Sequence, residues 1–509
     1  MNSKQLKLGV VLSYVSMGIN MIIQLVYTPI MIRLLGQSEY GLYTLVGSVV
    51  SYLSLFSLGF TGAYLRFYSR YRKCDDKIGI ARLNGMFISI FCIMGLLAGV
   101  CGLIMAEFTP AILGEKLSAV ELEKAKILMQ ILVLNIALTF PGSIFDSIVS
   151  SQEQFVFQRT LTLASVLFNP FICLPLLLMG YGSVAIVLVT TVLTILKLIT
   201  SVSFCVIKLK IPILFGYFDL SLIKEISGFS FFIFLNMIID QINWSVDKFV
   251  LGRVVGTGAV AIYGVATQFN TIFMNLTNTI SSVFAPRVNR IVAACENDMN
   301  EKLTNLLVKV GRLQFMFALY VFIGFVFCGK EFIQMWAGKE YIEAYYVALL
   351  LIFPLLIGLP HSVGVEIRRA KNLHQRAAVI MLITAIVNLL ISIPLAIMFG
   401  AIGAALGTFI GMFINMVLMD IYYLKIVELN VLKLLGNMKN LVVRLWGPIC
   451  FGLLGLFFES LGMCFAWASI YTIVYVLVMY KWAMNNDEKK MVYEVLSKVI
   501  NIVKRRRNN

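Results

Sequence analysis

The chain is short of charge, and shortest of acid. Only 13% of its 509 residues are charged, about half the share usual in a water-soluble domain. Asp and Glu together number 26, fewer than the 37 phenylalanines. A soluble fold with 60% hydrophobic residues would leave large apolar patches wet, at roughly 25 cal/mol per Å². Histidine occurs only at His361 and His374, and neither has carboxylates at ligand spacing. The nine cysteines are scattered without a Cys-x-x-Cys pair, so no metal and no cofactor is expected. Residues 324–331 mimic a phosphate loop, but Glu331 stands where Ser or Thr should meet magnesium, and no strand precedes them. With no ATPase domain, any energy must come from an ion gradient or from a substrate's own gradient. The largest outer loop, near Glu107–Lys126, is only about twenty residues, which leaves little room for acid and base catalysis.

What is abundant is apolar sequence in blocks. Spans of about 20 residues match the hydrocarbon thickness of a bilayer when helical. They fall near 8–33, 41–66, 80–105, 126–149, 161–179, 183–206, 228–252, 260–284, 311–329, 345–365, 378–398, 402–424, 441–459 and 462–480. These blocks are too long and too uniformly apolar for barrel strands. Helix remains, because in lipid the backbone must satisfy its own hydrogen bonds. The expected fold is therefore an all-α polytopic membrane protein of about 14 transmembrane helices. The first block continues past signal-peptide length without a cleavage pattern and reads as a retained span.

Charge placement sets the orientation. With the N-terminus in the cytoplasm, 33 of the 42 Lys and Arg residues fall inside and seven outside. That bias predicts a multi-pass inner-membrane protein with both termini cytoplasmic. The net charge of +16 needs no nucleic acid, since anionic membrane lipids are a sufficient partner. The run Lys504-Arg505-Arg506-Arg507 ends a segment from Asp487 with one apolar face, which predicts a basic amphipathic tail at the inner interface.

The two halves echo each other. Leu34-Leu35-Gly36 followed by Tyr40-Gly41 matches Val250-Leu251-Gly252 followed by Tyr263-Gly264. Glu107-Phe108 with Gly114 matches Glu331-Phe332 with Gly338 at a constant offset of 224, and Gly180 matches Gly400. Six helices per unit make these parallel repeats. The expected organisation is a six-helix bundle over 1–210, a second over 211–430, two further helices over 431–485, and the tail over 486–509.

Polar groups inside spans are costly and mark function by default. Asp240, Asn243 and Asp247 recur at helical spacing, so they share one face, with Lys248 beside Asp247. That face would line a hydrated cavity for a polar substrate. The bland alternative is that Asp247 and Lys248 neutralise each other. Asn20 and Gln24 are polar groups of the first span. Arg33 and Lys248 lie three and four residues before Gly36 and Gly252, at nearly equal depth, where a pair of cations could hold phosphate or lipid headgroups.

The stretch RLLGQSEYGLYTLV (Arg33–Val46) resembles the first-loop signature of the polysaccharide biosynthesis exporters, the O-antigen and capsule repeat-unit flippases. NWSVDKFVLGRVVGTGAVAIYGVATQ (Asn243–Gln268) is similar to the signature opening their second half. The family belongs to the multidrug, oligosaccharidyl-lipid and polysaccharide exporter superfamily. The resemblance implies a MATE-like layout of two bundles plus two C-terminal helices. It further implies alternating-access transfer of undecaprenyl-diphosphate-linked oligosaccharides, coupling to protons or sodium with Asp240 and Asp247 as the candidate ion-coupling groups, and company with a polysaccharide polymerase and chain-length proteins. Substrate contacts would fall to Arg33, Lys248, Gln24, Asn243 and Asn20. Two other activities fit less well: an ion-coupled multidrug or small-cation extruder of the same superfamily, and a membrane sugar polymerase or ligase, which would call for a long outer loop. The orientation is testable directly: reporters fused after Asn509 should read as cytoplasmic, and a cysteine placed at Lys116 should be labelled from outside.

Overall fold

The computed structural model describes residues 3–490 apart from 115, 283, 295–297 and 459. The expected interfacial tail lies mostly outside the described residues, beyond Lys490. All regular structure among the described residues is helical. Large apolar side chains such as Leu96, Val100 and Leu103 stand exposed along the helix Lys77–Glu107, as lipid contact requires. Helix ends carry the polar caps that lipid cannot supply. Ser118 and Glu121 form a reciprocal capping box at the start of Ala119–Ser151. Asp219 caps Leu220–Trp244 through Ser221 and Leu222, and these hydrogen bonds hold its carboxyl below the usual range.

The chain spans a membrane many times, with ten helical runs long and apolar enough to cross. Two bent pairs, Leu220–Gly228 with Ser230–Val254 and Val431–Arg444 with Trp446–Phe457, raise that to twelve. This differs from the fourteen read from sequence, for two identifiable reasons. The helix Thr257–Ser282, which holds the eighth expected span, carries many Thr and Asn residues and is not among the candidate spans. The eleventh and twelfth expected spans lie in one run, His374–Val427. That run is interrupted at Gly400, whose φ of 59° and ψ of −136° are non-helical. Its two arms fold back on each other: a Cβ on Gly411 would stand 2.5 Å from Cβ of Asn388, and Gly407 abuts Ser392. Small residues let the backbones approach this closely, as is usual between membrane helices.

The repeat is also one of backbone conformation. Positive φ recurs at Gly36 and Gly256, Gly114 and Gly338, Glu153 and Asn372, Gly180 and Gly400, and Lys210 and Glu428, at spacings of 218–224 residues. A π-helical turn at Phe204–Lys208 recurs at Tyr423–Val427. One sequence pairing needs correcting. Gly252 lies buried within the helix Val246–Val254, and it is Gly256 that repeats the turn at Gly36.

By packing, the chain forms two compact units: Met1–Val265 with Met381–Gly411, and Ala266–Ile380 with Met412–Asn509. Inside the second, Arg312 is nearly sealed from solvent and donates to Glu488 at 2.8 Å. It also donates to Asn437 at 2.9 Å and to the carbonyl of Ala483 at 3.0 Å. Glu488 accepts a further bond from the amide of Asn485 at 2.7 Å. Breaking such a pair leaves an unpartnered buried charge. Glu488→Ala should therefore cost about 3–5 kcal/mol in thermal unfolding, and the paired replacement Arg312→Met with Glu488→Leu much less.

Candidate functional site

The candidate site lies in the first unit, where the two signature stretches meet. Ser38 opens the helix Gln37–Ser51 and donates to Glu121 at 2.6 Å. Thr257, at the start of Thr257–Ser282, donates to the same oxygen at 3.0 Å. Gly41 sits against the carbonyl of Thr257, leaving no room for a Cβ. Gly252 is likewise closed over by Leu45, whose Cδ1 would be 2.5 Å from an added Cβ. Beside them Glu39 pairs with Lys124 at 2.6 Å and accepts from the amide of Ser183 at 2.5 Å. The residues that make the signatures recognisable are those that let two helix starts approach and that satisfy the polar groups this exposes.

Below this contact lies a buried carboxylate. Asp247, on Val246–Val254, is 3% exposed. It accepts hydrogen bonds from the hydroxyls of Tyr263 and Thr408, the latter at 2.7 Å. Thr408 comes from the second arm of the Gly400 hairpin. The first arm brings Asn388, which donates to Asn243 at 3.3 Å and accepts from Ser392 at 2.9 Å. Among the described residues its hydrogen-bond partners are these hydroxyls, and Lys248, the next residue, lies beyond ion-pair distance. Nearby, Gln241 accepts from the hydroxyl of Ser51 at 3.0 Å. Carboxylate, hydroxyl and amide oxygens without thiol or imidazole suit a proton or a small hard cation. Among the described residues no cluster of three His, Cys, Asp or Glu forms a metal site.

Of the residues read from sequence, Asn243 and Asp247 belong to this network. Asp240 is exposed, and Asn236 turns back to donate to the carbonyl of Phe232 at 2.6 Å. Leu220–Trp244 and Val246–Val254 meet at Ser245, and Asn243 and Asp247 on either side join the network, while Asp240, on the same helix as Asn243, stays exposed. Lys248 is half-buried and Arg33 exposed, on helices whose main neighbours differ apart from Gln37–Ser51, which both touch. Gln24 is half-buried. Asn20 lines a separate cavity of about 290 Å³ with Asn169, Thr190, Thr194 and Lys197. Lys197 there pairs with Asp146 at 2.7 Å, and Asn135 donates to Thr194 at 2.9 Å. Sequence reasoning missed Tyr263, Thr408 and Ser392, since Ser and Thr hydroxyls in helices usually bond their own backbone and a tyrosine in an apolar helix reads as packing.

Removing a donor from a buried carboxylate costs more than an ordinary surface change. Thr408→Val and Tyr263→Phe should each lower the stability of the purified protein by about 1–3 kcal/mol, read by thermal unfolding. Asp240→Asn should stay within about 0.5 kcal/mol.

The polysaccharide biosynthesis protein family matches residues 6–292. No curated protein matches the chain. Among solved structures, the lipid II flippase MurJ in an inward closed conformation superposes with a TM-score of 0.73 at 17% identity, covering 92% of this chain and 98% of its own. An inward-facing multidrug resistance MATE family transporter of the MOP superfamily gives 0.62 at 13% identity, covering 81% and 98%. A MOP superfamily transporter from Pyrococcus furiosus gives 0.58 at 15% identity, covering 82% and 94%. With signatures, buried polar network and fold in agreement, the chain belongs to the polysaccharide biosynthesis protein family and has a MOP-superfamily fold.

Proposed function

We propose that this protein is a flippase of the bacterial inner membrane that moves undecaprenyl-diphosphate-linked oligosaccharide units to the outer leaflet by alternating access, for cell-surface polysaccharide synthesis. The observation that carries the reading is a family match to polysaccharide biosynthesis over a chain that buries a hydrogen-bonded carboxylate inside apolar helices. A diphosphate with several sugars cannot shed its hydration to cross hydrocarbon unaided. Flipping breaks no covalent bond; it needs a polar route, cations near the phosphates and a coupled change of state.

In this reading Asp247 is the coupling group. Its donors Tyr263 and Thr408 come from two other helices, so proton or sodium binding there alters how three helices are tied together. Asp240, exposed on the preceding helix, would receive the ion first. Arg33 and Lys248 meet the diphosphate, while Asn20, Gln24 and Asn243 meet sugar hydroxyls. The spans number fourteen when the arms of the Gly400 hairpin are counted separately and Thr257–Ser282 is included, with both termini cytoplasmic. The organisation by repeat runs over 1–210, 211–430 and 431–485. A polysaccharide polymerase and chain-length proteins would act on the delivered unit. The multidrug extruder reading draws on the MATE superposition alone, whereas the family match favours the glycan.

Deleting the gene should trap lipid-linked glycan in the inner leaflet, read by the access of an impermeant glycan-modifying reagent to intact and opened cells. Outer-leaflet glycan at the normal rate would sink the proposal. At equal membrane expression, Arg33→Ala and Lys248→Ala should each slow delivery by about tenfold, the size of one charge-assisted contact.

A further inference from the structure

A second concentration of charge lies apart from the Asp247 network, within the other packing unit. The helix Ala285–Ala294 packs against the start of Met299–Trp336. A cavity of about 740 Å³ opens between them, and four cations line it: Arg287, Arg290, Lys302 and Lys309. Among the described residues the lining holds no carboxylate; its other members include Pro286 and Leu306. Spacing explains the convergence. Arg287 and Arg290 are three residues apart on one helix, and Lys302 and Lys309 are two turns apart on the other, so each pair shares a face.

The balance of charge is uneven. Lys302 is offset by Asp298 at 3.0 Å. Asn305, also in the lining, accepts from Lys433 at 2.8 Å, which brings a fifth basic group to the rim. Among the described residues, no carboxylate pairs with Arg287, Arg290 or Lys309. Like charges gathered in a concavity repel one another, and their field is strongest where the walls exclude water. A folded chain keeps such an arrangement at lower cost when an anion occupies it.

The geometry points to a phosphate-binding pocket between Ala285–Ala294 and Met299–Trp336 whose ligand is an acidic phospholipid headgroup. Two guanidinium forks match phosphate oxygens bidentately, and the lysines add point charge. The volume falls in the range of small-ligand pockets. The apolar lining suits the glycerol and upper acyl portion of a lipid, which a free phosphate lacks. The sequence places these helix ends on the cytoplasmic side, where anionic lipid supplies the ligand at high local concentration. The site would secure this unit at the membrane surface, independently of what is transported.

The test uses the purified full chain in neutral detergent, titrated calorimetrically with dihexanoyl phosphatidylglycerol and separately with inorganic diphosphate. Phosphatidylglycerol should bind saturably. The triple variant Arg287→Gln, Arg290→Gln, Lys309→Gln should weaken it by at least about tenfold. Arg287→Lys with Arg290→Lys keeps the charge and should lose less than the triple variant. Lys73→Gln, Lys77→Gln, Lys224→Gln removes equal charge from exposed positions of the first unit and should change affinity by less than about twofold. Wild-type affinity in the Arg287, Arg290, Lys309 variant, or an equal loss in the Lys73, Lys77, Lys224 variant, would overturn the pocket. Diphosphate binding as tightly as phosphatidylglycerol would overturn the lipid as its ligand. Because binding is read without transport, failure here leaves the flippase reading standing, and failure of that reading leaves the pocket standing.

Discussion

A carboxylate sealed among apolar helices must find donors, and the placement of Asp247 follows from that demand. Its two donors, Tyr263 and Thr408, come from two other helices, 16 and 161 residues away in sequence, so one buried acid ties three elements together. Unpaired, such a group would carry a desolvation cost of several kcal/mol. The same region brings Asn243 against Asn388 and Ser392. The Gly400 hairpin is what makes this possible, because only a tight reversal sets Asn388 and Thr408 side by side on adjacent arms. Hydroxyl donors take the place of water around the Asp247 carboxylate, which is what lets an acid lie among apolar helices.

The packing around Gly41 and Gly252 serves the same end. Helices that begin at Gln37 and Thr257 approach closely because glycine and threonine backbone meet there, and the polar atoms exposed by the approach are taken up by Ser38 and Glu121. In water these hydrogen bonds would compete with solvent and contribute little. At a membrane boundary their absence would leave helix ends unsatisfied. The signatures therefore mark a structural joint beside the polar network, and Asn243, Asp247 and Tyr263 among their residues enter that network.

The second unit solves its polar problems differently. Arg312 gathers Glu488, Asn437 and the Ala483 carbonyl, pinning the segment that follows the last apolar helix. Lys371 donates to Asn300 at 2.6 Å and to the carbonyl of Val427 at 2.8 Å. Burial pushes its ammonium below the usual lysine range, with Glu428 opposing that shift. Cations here are fastened to named partners, whereas Arg287, Arg290 and Lys309 meet no carboxylate among the described residues.

Composition and hydropathy by themselves determined that this chain is helical and crosses a membrane many times, because lipid leaves the backbone no other economical choice. The two signatures and the recurring glycines also showed a repeat before any coordinates, since turn residues keep their spacing when the helices between them drift. Tertiary structure decided the rest. It moved the repeated turn from Gly252 to Gly256, since a glycine inside a helix and one ending it look alike in sequence. It joined Asp247 to Thr408 across 161 residues while leaving Asp240 exposed, although helical spacing had placed both acids on one face. Periodicity records which residues share a side of a helix. It does not record which turns of that helix are covered by a neighbour, or which hydroxyl arrives to meet a charge.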